Sequence, residues 1–146
     1  MKKAIIAFSC LTIMFVSCKK EDTTPKAVTP TKENLTGTWM VTAASLSSGG
    51  TTVNIFDNSD ASMNFYDACD RDDKYLLKSD LSFEIEDAGT QCDPNNNYTG
   101  GTWGLTNATS INIDGEEWAI KSFDGKYLVV TATSGSITQS STYSKQ

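Results

Sequence analysis

Histidine is absent from this chain of 146 residues. Its absence removes Ser-His-Asp and Cys-His catalysis, imidazole metal ligands and the usual side chain for proton transfer near neutral pH. Basic charge is scarce. Twelve Lys+Arg stand against 18 Asp+Glu, a formal charge of −6, and Arg71 is the sole arginine. Little on such a surface would neutralise phosphates, which argues against a nucleic-acid partner. No stretch beyond residue 33 carries the 3.6-residue period of a helix of ordinary length. The one long apolar run, Ala4 to Val16, has about 13 residues, short of the ~20 that a membrane-spanning helix needs.

That run follows Lys2 and Lys3 and ends at Phe15-Val16-Ser17-Cys18. A charged start, a short apolar core and a small residue at the break predict a secretory signal over residues 1–17. The ending resembles a bacterial lipobox, whose cysteine receives diacylglycerol and becomes the new N-terminus. The resemblance implies lipidation of Cys18 and attachment to the membrane through that lipid. Several acyl chains at ~0.8 kcal/mol per buried CH₂ make a stable anchor. Lys19-Lys20-Glu21-Asp22 is similar to the sorting signal of Bacteroidetes surface lipoproteins. It implies an outer-membrane lipoprotein exposed at the cell surface. Residues 18–33 are rich in Lys, Thr, Pro and acids, too polar to order themselves, and are expected to form a flexible tether. The domain is expected over 34–146, with 15 acids against 6 bases. An anionic membrane surface would repel it.

The domain alternates with period two. Leu81, Phe83 and Ile85 alternate with acids and serine; Ile111 with Ile113, and Trp118 with Ile120, do the same. Such runs are strands with one buried and one wet face. Asp114-Gly115 and Asp124-Gly125 stand between such runs and are strong hairpin signals. Gly49-Gly50 and Ala88-Gly89 mark further breaks. The pattern predicts eight or nine antiparallel strands in an all-β, up-and-down barrel. Residues 57–73 break the alternation as a long acidic connection, with Phe65 and Tyr66 in its middle.

With the signal removed and Cys18 lipidated, Cys69 and Cys92 remain. In an exported protein such a pair is most simply a disulfide, worth roughly 3 kcal/mol in the chain-entropy account. Redox chemistry would favour a Cys-x-x-Cys spacing. No tryptophan lies between the two cysteines, which sets an immunoglobulin fold aside.

Gly37-Thr38-Trp39 opens the domain and Gly101-Thr102-Trp103 repeats the pattern. Between and after them come Leu81-Ser82-Phe83, Ile111-Asn112-Ile113-Asp114-Gly115 and Tyr127-Leu128-Val129-Val130. This order resembles the bacterial lipocalin-like domain of Bacteroidetes lipoproteins. The resemblance makes Gly37, Trp39, Gly101 and Trp103 the structural signature. It implies a small barrel whose first tryptophan closes one end, with an interior pocket and no assigned ligand. The basic residue that covers this tryptophan in lipocalins has no clear counterpart, since Arg71 lies in the 57–73 connection. Ser134 to Gln146, with only Ile137 and Tyr143 large, offers little with which to close the barrel.

Phe83, Ile85, Trp118, Ile120 and Tyr127 are the candidate lining of a pocket for a small hydrophobic ligand. The competing expectation is a barrel filled by side chains. Asp67, Asp70, Asp72 and Asp73 form a carboxylate cluster that calcium could use, but the spacing is not that of an EF-hand. Glu116 and Glu117 at a hairpin tip are expected to be too wet for paired acid–base work. No catalytic residue, cofactor or metal ligand is assigned, and an enzyme is not expected. The function expected is a lipid-anchored binding module of the cell envelope. The alternative is a structural or interaction lipoprotein with a filled barrel, whose protein partner the sequence leaves unnamed.

Overall fold

The computed structural model describes residues 26–92 and 98–146. The predicted signal, Cys18 and the first part of the tether lie outside them. Nine strands follow a short helix. They are β1 (Gly37–Ser48), β2 (Thr51–Asn54), β3 (Lys74–Leu77), β4 (Ser82–Glu86), β5 (Tyr98–Asn107), β6 (Ser110–Ile113), β7 (Glu116–Phe123), β8 (Tyr127–Ser134) and β9 (Ile137–Lys145). Every pairing is antiparallel, and β9 pairs back onto β1 to close an eight-stranded up-and-down barrel. The ninth strand, β2, lies outside the closed circuit as a hairpin arm on the far half of β1.

Closure resolves the expectation for the C-terminal segment. β9 pairs along nearly its whole length with β8 on one side and β1 on the other. A Ser/Thr-rich strand suffices because the ladder uses backbone groups. Its inward positions still supply Ser141 and Tyr143, the former buried. Register shifts between Val41 and Ala43, Phe83 and Glu84, Leu105 and Asn107, and Ile120 and Ser122 bend the sheet. Bulges of this kind raise local twist and help a sheet curl shut. They also reset the alternation. In β1 the buried side chains are Trp39 and Val41, then Ala44 beyond the bulge.

The Asp-Gly turns fall where expected. Asp114 and Gly115 join β6 to β7 with φ of 52° and 86°, a backbone that asparagine, aspartate and glycine tolerate best. Asp124 accepts hydrogen bonds from the amides of Lys126 and Tyr127 at the β7–β8 turn. Leu81, expected inside a strand, instead ends the β3–β4 turn with φ of 69°. Its carbonyl accepts from the Trp103 amide and its side chain still packs against the core.

Order begins upstream of Asn34. A four-residue helix, α1 (Lys32–Leu35), is closed by a capping box in which Thr31 and Asn34 exchange side chain-to-backbone bonds. Before it, the Val28 amide donates to the Phe123 carbonyl. The helix delivers Leu35 into the barrel end at 0 % exposure. A single turn is too short to show a period in sequence, so residues 28–33 read as part of a tether.

Candidate functional site

The barrel has two unlike ends. α1, the β3–β4, β5–β6 and β7–β8 turns and the C-terminus gather at one, here called the base. The β1–β2, β6–β7 and β8–β9 turns, the 55–73 connection and Cys92 gather at the other, the rim.

Both Gly-x-Trp motifs serve the base. Trp39 is 1 % exposed and its indole N–H donates to the Leu35 carbonyl at 2.8 Å. Trp103, also buried, donates to the Lys78 carbonyl at 2.8 Å. Each tryptophan therefore pins a connection that crosses the base. The glycines make room for neighbours. At Gly37, with φ of 143°, a Cβ would stand 2.7 Å from the Lys145 side chain. At Gly101 a Cβ would stand 2.9 Å from the Phe83 ring and 3.1 Å from an Asp114 carboxylate oxygen.

The Gly37 gap reveals the residue that sequence reading missed. Lys145 crosses it, holds its ammonium 5.4 Å from the Trp39 ring centroid and donates to the Asn34 carbonyl at 2.7 Å. A cation over an indole face is favourable, more so when partly desolvated. So the first tryptophan is covered after all, by the penultimate residue. Only the β1–β9 register, which sets Trp39 opposite Lys145, could have disclosed it.

Above this floor lies a partly open cavity of about 350 Å³. Trp39, Leu77 and Leu128 form its floor; Phe83, Ile113, Trp118 and Val130 form its walls. Tyr75 and Tyr143 also line it, their rings edge-to-face at 5.5 Å. Asp114 and Glu116 stand at its mouth. Burial pushes both tyrosine hydroxyls well above their ordinary range, with neighbouring hydroxyls adding to it. Both remain neutral and can donate or accept a hydrogen bond.

Of the five pocket residues expected from sequence, Phe83 and Trp118 line the cavity. Ile85 and Ile120 are partly buried and pack against the core cluster without lining the cavity. Tyr127 lies elsewhere. It is exposed on the outside, with the Lys126 ammonium 5.2 Å from its ring. The inward phase of β8 belongs to Leu128 and Val130. A strand with apolar residues at consecutive positions does not declare its phase, which is why Tyr127 reads inward from sequence. Trp39, which with Trp103 also stands among the aromatic candidates for a pocket, lines it too, whereas Leu77, Ile113, Leu128, Val130, Tyr75 and Tyr143 are lining residues that the sequence reading did not assign to it.

The 55–73 connection forms a structured cover at the rim. Asn54 accepts from the amides of Phe56 and Asp57, Asn64 accepts from the Asn58 amide, and Asp60 caps a 3-10 turn over Ala61–Met63. Phe56 meets Tyr66 edge-to-face at 5.5 Å, and Arg71 stacks on Phe56 at 5.7 Å. Cys69 and Cys92 form a disulfide with Cα atoms 5.3 Å apart, tying the cover to the segment after β4. Asp70 lies beside this bridge, but the two sulfurs are bonded to each other, which among the described residues leaves one carboxylate there as a metal ligand. Asp73 accepts from the Ala88 amide. Burial and the nearby charges of Asp87, Asp70 and Asp72 hold its carboxyl above the usual carboxylate range. Glu116 and Glu117 are exposed.

The chain matches no family model, no curated protein and no solved structure.

Proposed function

We propose that this is a lipid-anchored, lipocalin-like binding protein of the outer membrane that takes a small hydrophobic ligand into its barrel. The observation that carries the reading is the cavity of about 350 Å³ beside a well-buried core. Pockets of ~300–1,000 Å³ with mainly apolar walls and a few convergent polar groups are the usual form of small-molecule sites. This one sits at the small end, which suits a compact ligand better than a long acyl chain. Lys145 over Trp39 adds to the likeness in motif order, because the base now carries the cation that lipocalins place there.

A neutral fluorescent probe, N-phenylnaphthylamine, should bind the purified domain with enhanced emission. Val130→Phe projects into the cavity and should abolish that signal while the chain stays folded by circular dichroism. Emission that survives Val130→Phe would place the probe elsewhere and overturn the pocket. The anchor is tested apart. Cys18→Ala should move the protein out of the membrane fraction in its host, and retention there would overturn lipidation.

A second reading has its own observation. Phe65 is 63 % exposed and Met63 47 % exposed on the rim cover. Such side chains on an ordered loop suit a contact with another protein. Phe65→Ser with Met63→Ser should then cost surface partners without touching probe binding.

A further inference from the structure

We propose that the cavity selects a cationic amphiphile, a compact ammonium compound with an aromatic or branched apolar body, over neutral and anionic ligands of the same shape. The inference rests on the reading of the cavity as a ligand site and adds the charge of the ligand.

Three observations converge on it. First, the titratable groups at the mouth are acids. Asp114 and Glu116 line the cavity, and no lysine or arginine does so among the described residues. Second, the cations Lys74 and Arg71 do not line the cavity and have contacts of their own. Lys74 pairs with Glu86 at 3.3 Å, and Arg71 stacks on Phe56 and faces the Tyr66 carbonyl. Asp70 and Asp73 add negative charge at the same end of the barrel, on the connection that leads into β3. A cleft with low-dielectric walls and charge of one sign focuses that field on what enters it. Third, the apolar lining is aromatic. Trp39, Phe83 and Trp118 present π systems to the interior, and the Lys145 ammonium already exploits the Trp39 ring from the base side. Ring faces attract ammonium groups, most of all desolvated ones.

A carboxylate ligand fares badly on all three counts. It would meet Asp114 and Glu116 at the mouth, and among the described residues no lysine or arginine lines the cavity to receive it. Tyr75 and Tyr143 could each donate one hydrogen bond to it, which does not replace a lysine or arginine partner.

Three probes of one shape test the proposal by equilibrium dialysis with the intact domain at low salt. They are naphthylmethyl-trimethylammonium, its neutral carbon isostere neopentylnaphthalene, and the anion naphthylacetate. The ammonium should bind about tenfold more tightly than the isostere, with the anion weakest. Glu116→Gln, a change on an exposed side chain, should weaken the ammonium about threefold relative to the isostere. Raising the salt should erode the preference for the ammonium and not the affinity for the isostere. If the isostere binds as well as the ammonium, or the anion binds best, the charge preference is overturned and the cavity reading stands. If none of the three binds, both fall.

Discussion

At the base of the barrel Leu35, Trp39 and Trp103 are buried, and both indoles donate to the carbonyls of connections that cross it. At the rim the cover is held by asparagine and aspartate side chains bonding local backbone, by one disulfide and by an Arg–Phe–Tyr stack. The base is built from long-range apolar packing, and the rim mainly from short-range polar geometry plus one covalent staple, with Ile55 the fully buried apolar side chain of its cover. Burial of large side chains carries most folding free energy, whereas exposed hydrogen bonds are nearly isoenergetic with bonds to water. So the base is the stability centre, and the rim is free to carry acids and a cavity mouth without endangering the fold.

The largest effect that would sharpen this contrast is Trp39→Ala. It empties the floor and orphans the Leu35 carbonyl, and should cost about 3–5 kcal/mol in urea denaturation. The matching rim change, Phe65→Ala, should fall within ~0.5 kcal/mol, as substitutions at exposed positions do. Comparable losses from the two would break the contrast.

Next comes the staple. Cys69→Ser with Cys92→Ser should cost about 3 kcal/mol by restoring chain freedom to the unfolded state. In the native state the consequence should be local. Hydrogen exchange and proteolytic cleavage should rise over residues 57–73 and after β4, while Trp39 emission stays unchanged. A blue- or red-shifted Trp39 signal would mean that the rim supports the base, contrary to the contrast.

Lys145→Met is smaller. It keeps the stem that crosses Gly37 and removes the charge over Trp39 and the bond to the Asn34 carbonyl. A charged hydrogen bond and a cation over an indole suggest about 1–2 kcal/mol. Gly37→Ala should cost at least as much, because its backbone is left-handed and its Cβ would strike the lysine stem.

The same contrast explains what was legible in the sequence. The rim and the strand count were readable because they rest on local signals. Asp-Gly and Gly-Gly turns fix hairpins, alternation marks strands, and a cysteine pair in a chain expected to be exported points to a staple. The base was only half readable. Gly-x-Trp located the tryptophans, yet the cation over Trp39 lies at the opposite terminus, brought there by β1–β9 register alone. The cavity lining failed in the same way. Phe83 and Trp118 stand in strictly alternating runs and face the cavity, whereas Tyr127 stands in a continuous apolar run whose phase only the neighbouring strands decide. Bulges compound this, since each inverts the inward phase beyond it and leaves no mark in composition. The helix α1 escaped because one turn has no period to detect.

The smallest effect belongs to Asp73, where the rim is worst for its own stability. Its carboxyl is held above the ordinary aspartate value of 3.8 by burial first, then by Asp87, Asp70 and Asp72, while the Ala88 amide opposes the shift. A raised folded value means that the folded state binds the proton more tightly than the unfolded chain does. The associated stability is present below about 3.8, the unfolded value, and is lost as pH rises through the folded one. At neutral pH the wild-type protein therefore carries a destabilising charge at the rim. Asp73→Asn removes that charge and keeps an acceptor for Ala88. Its melting temperature should exceed the wild-type value by a degree or two near about pH 7 and match it near about pH 3.5, in calorimetric scans of both proteins. A gain that persists unchanged at low pH would show that packing, not charge, sets the effect. A loss at neutral pH would show instead that the ionised carboxylate is doing a job at the rim, and would count against treating that end as energetically dispensable.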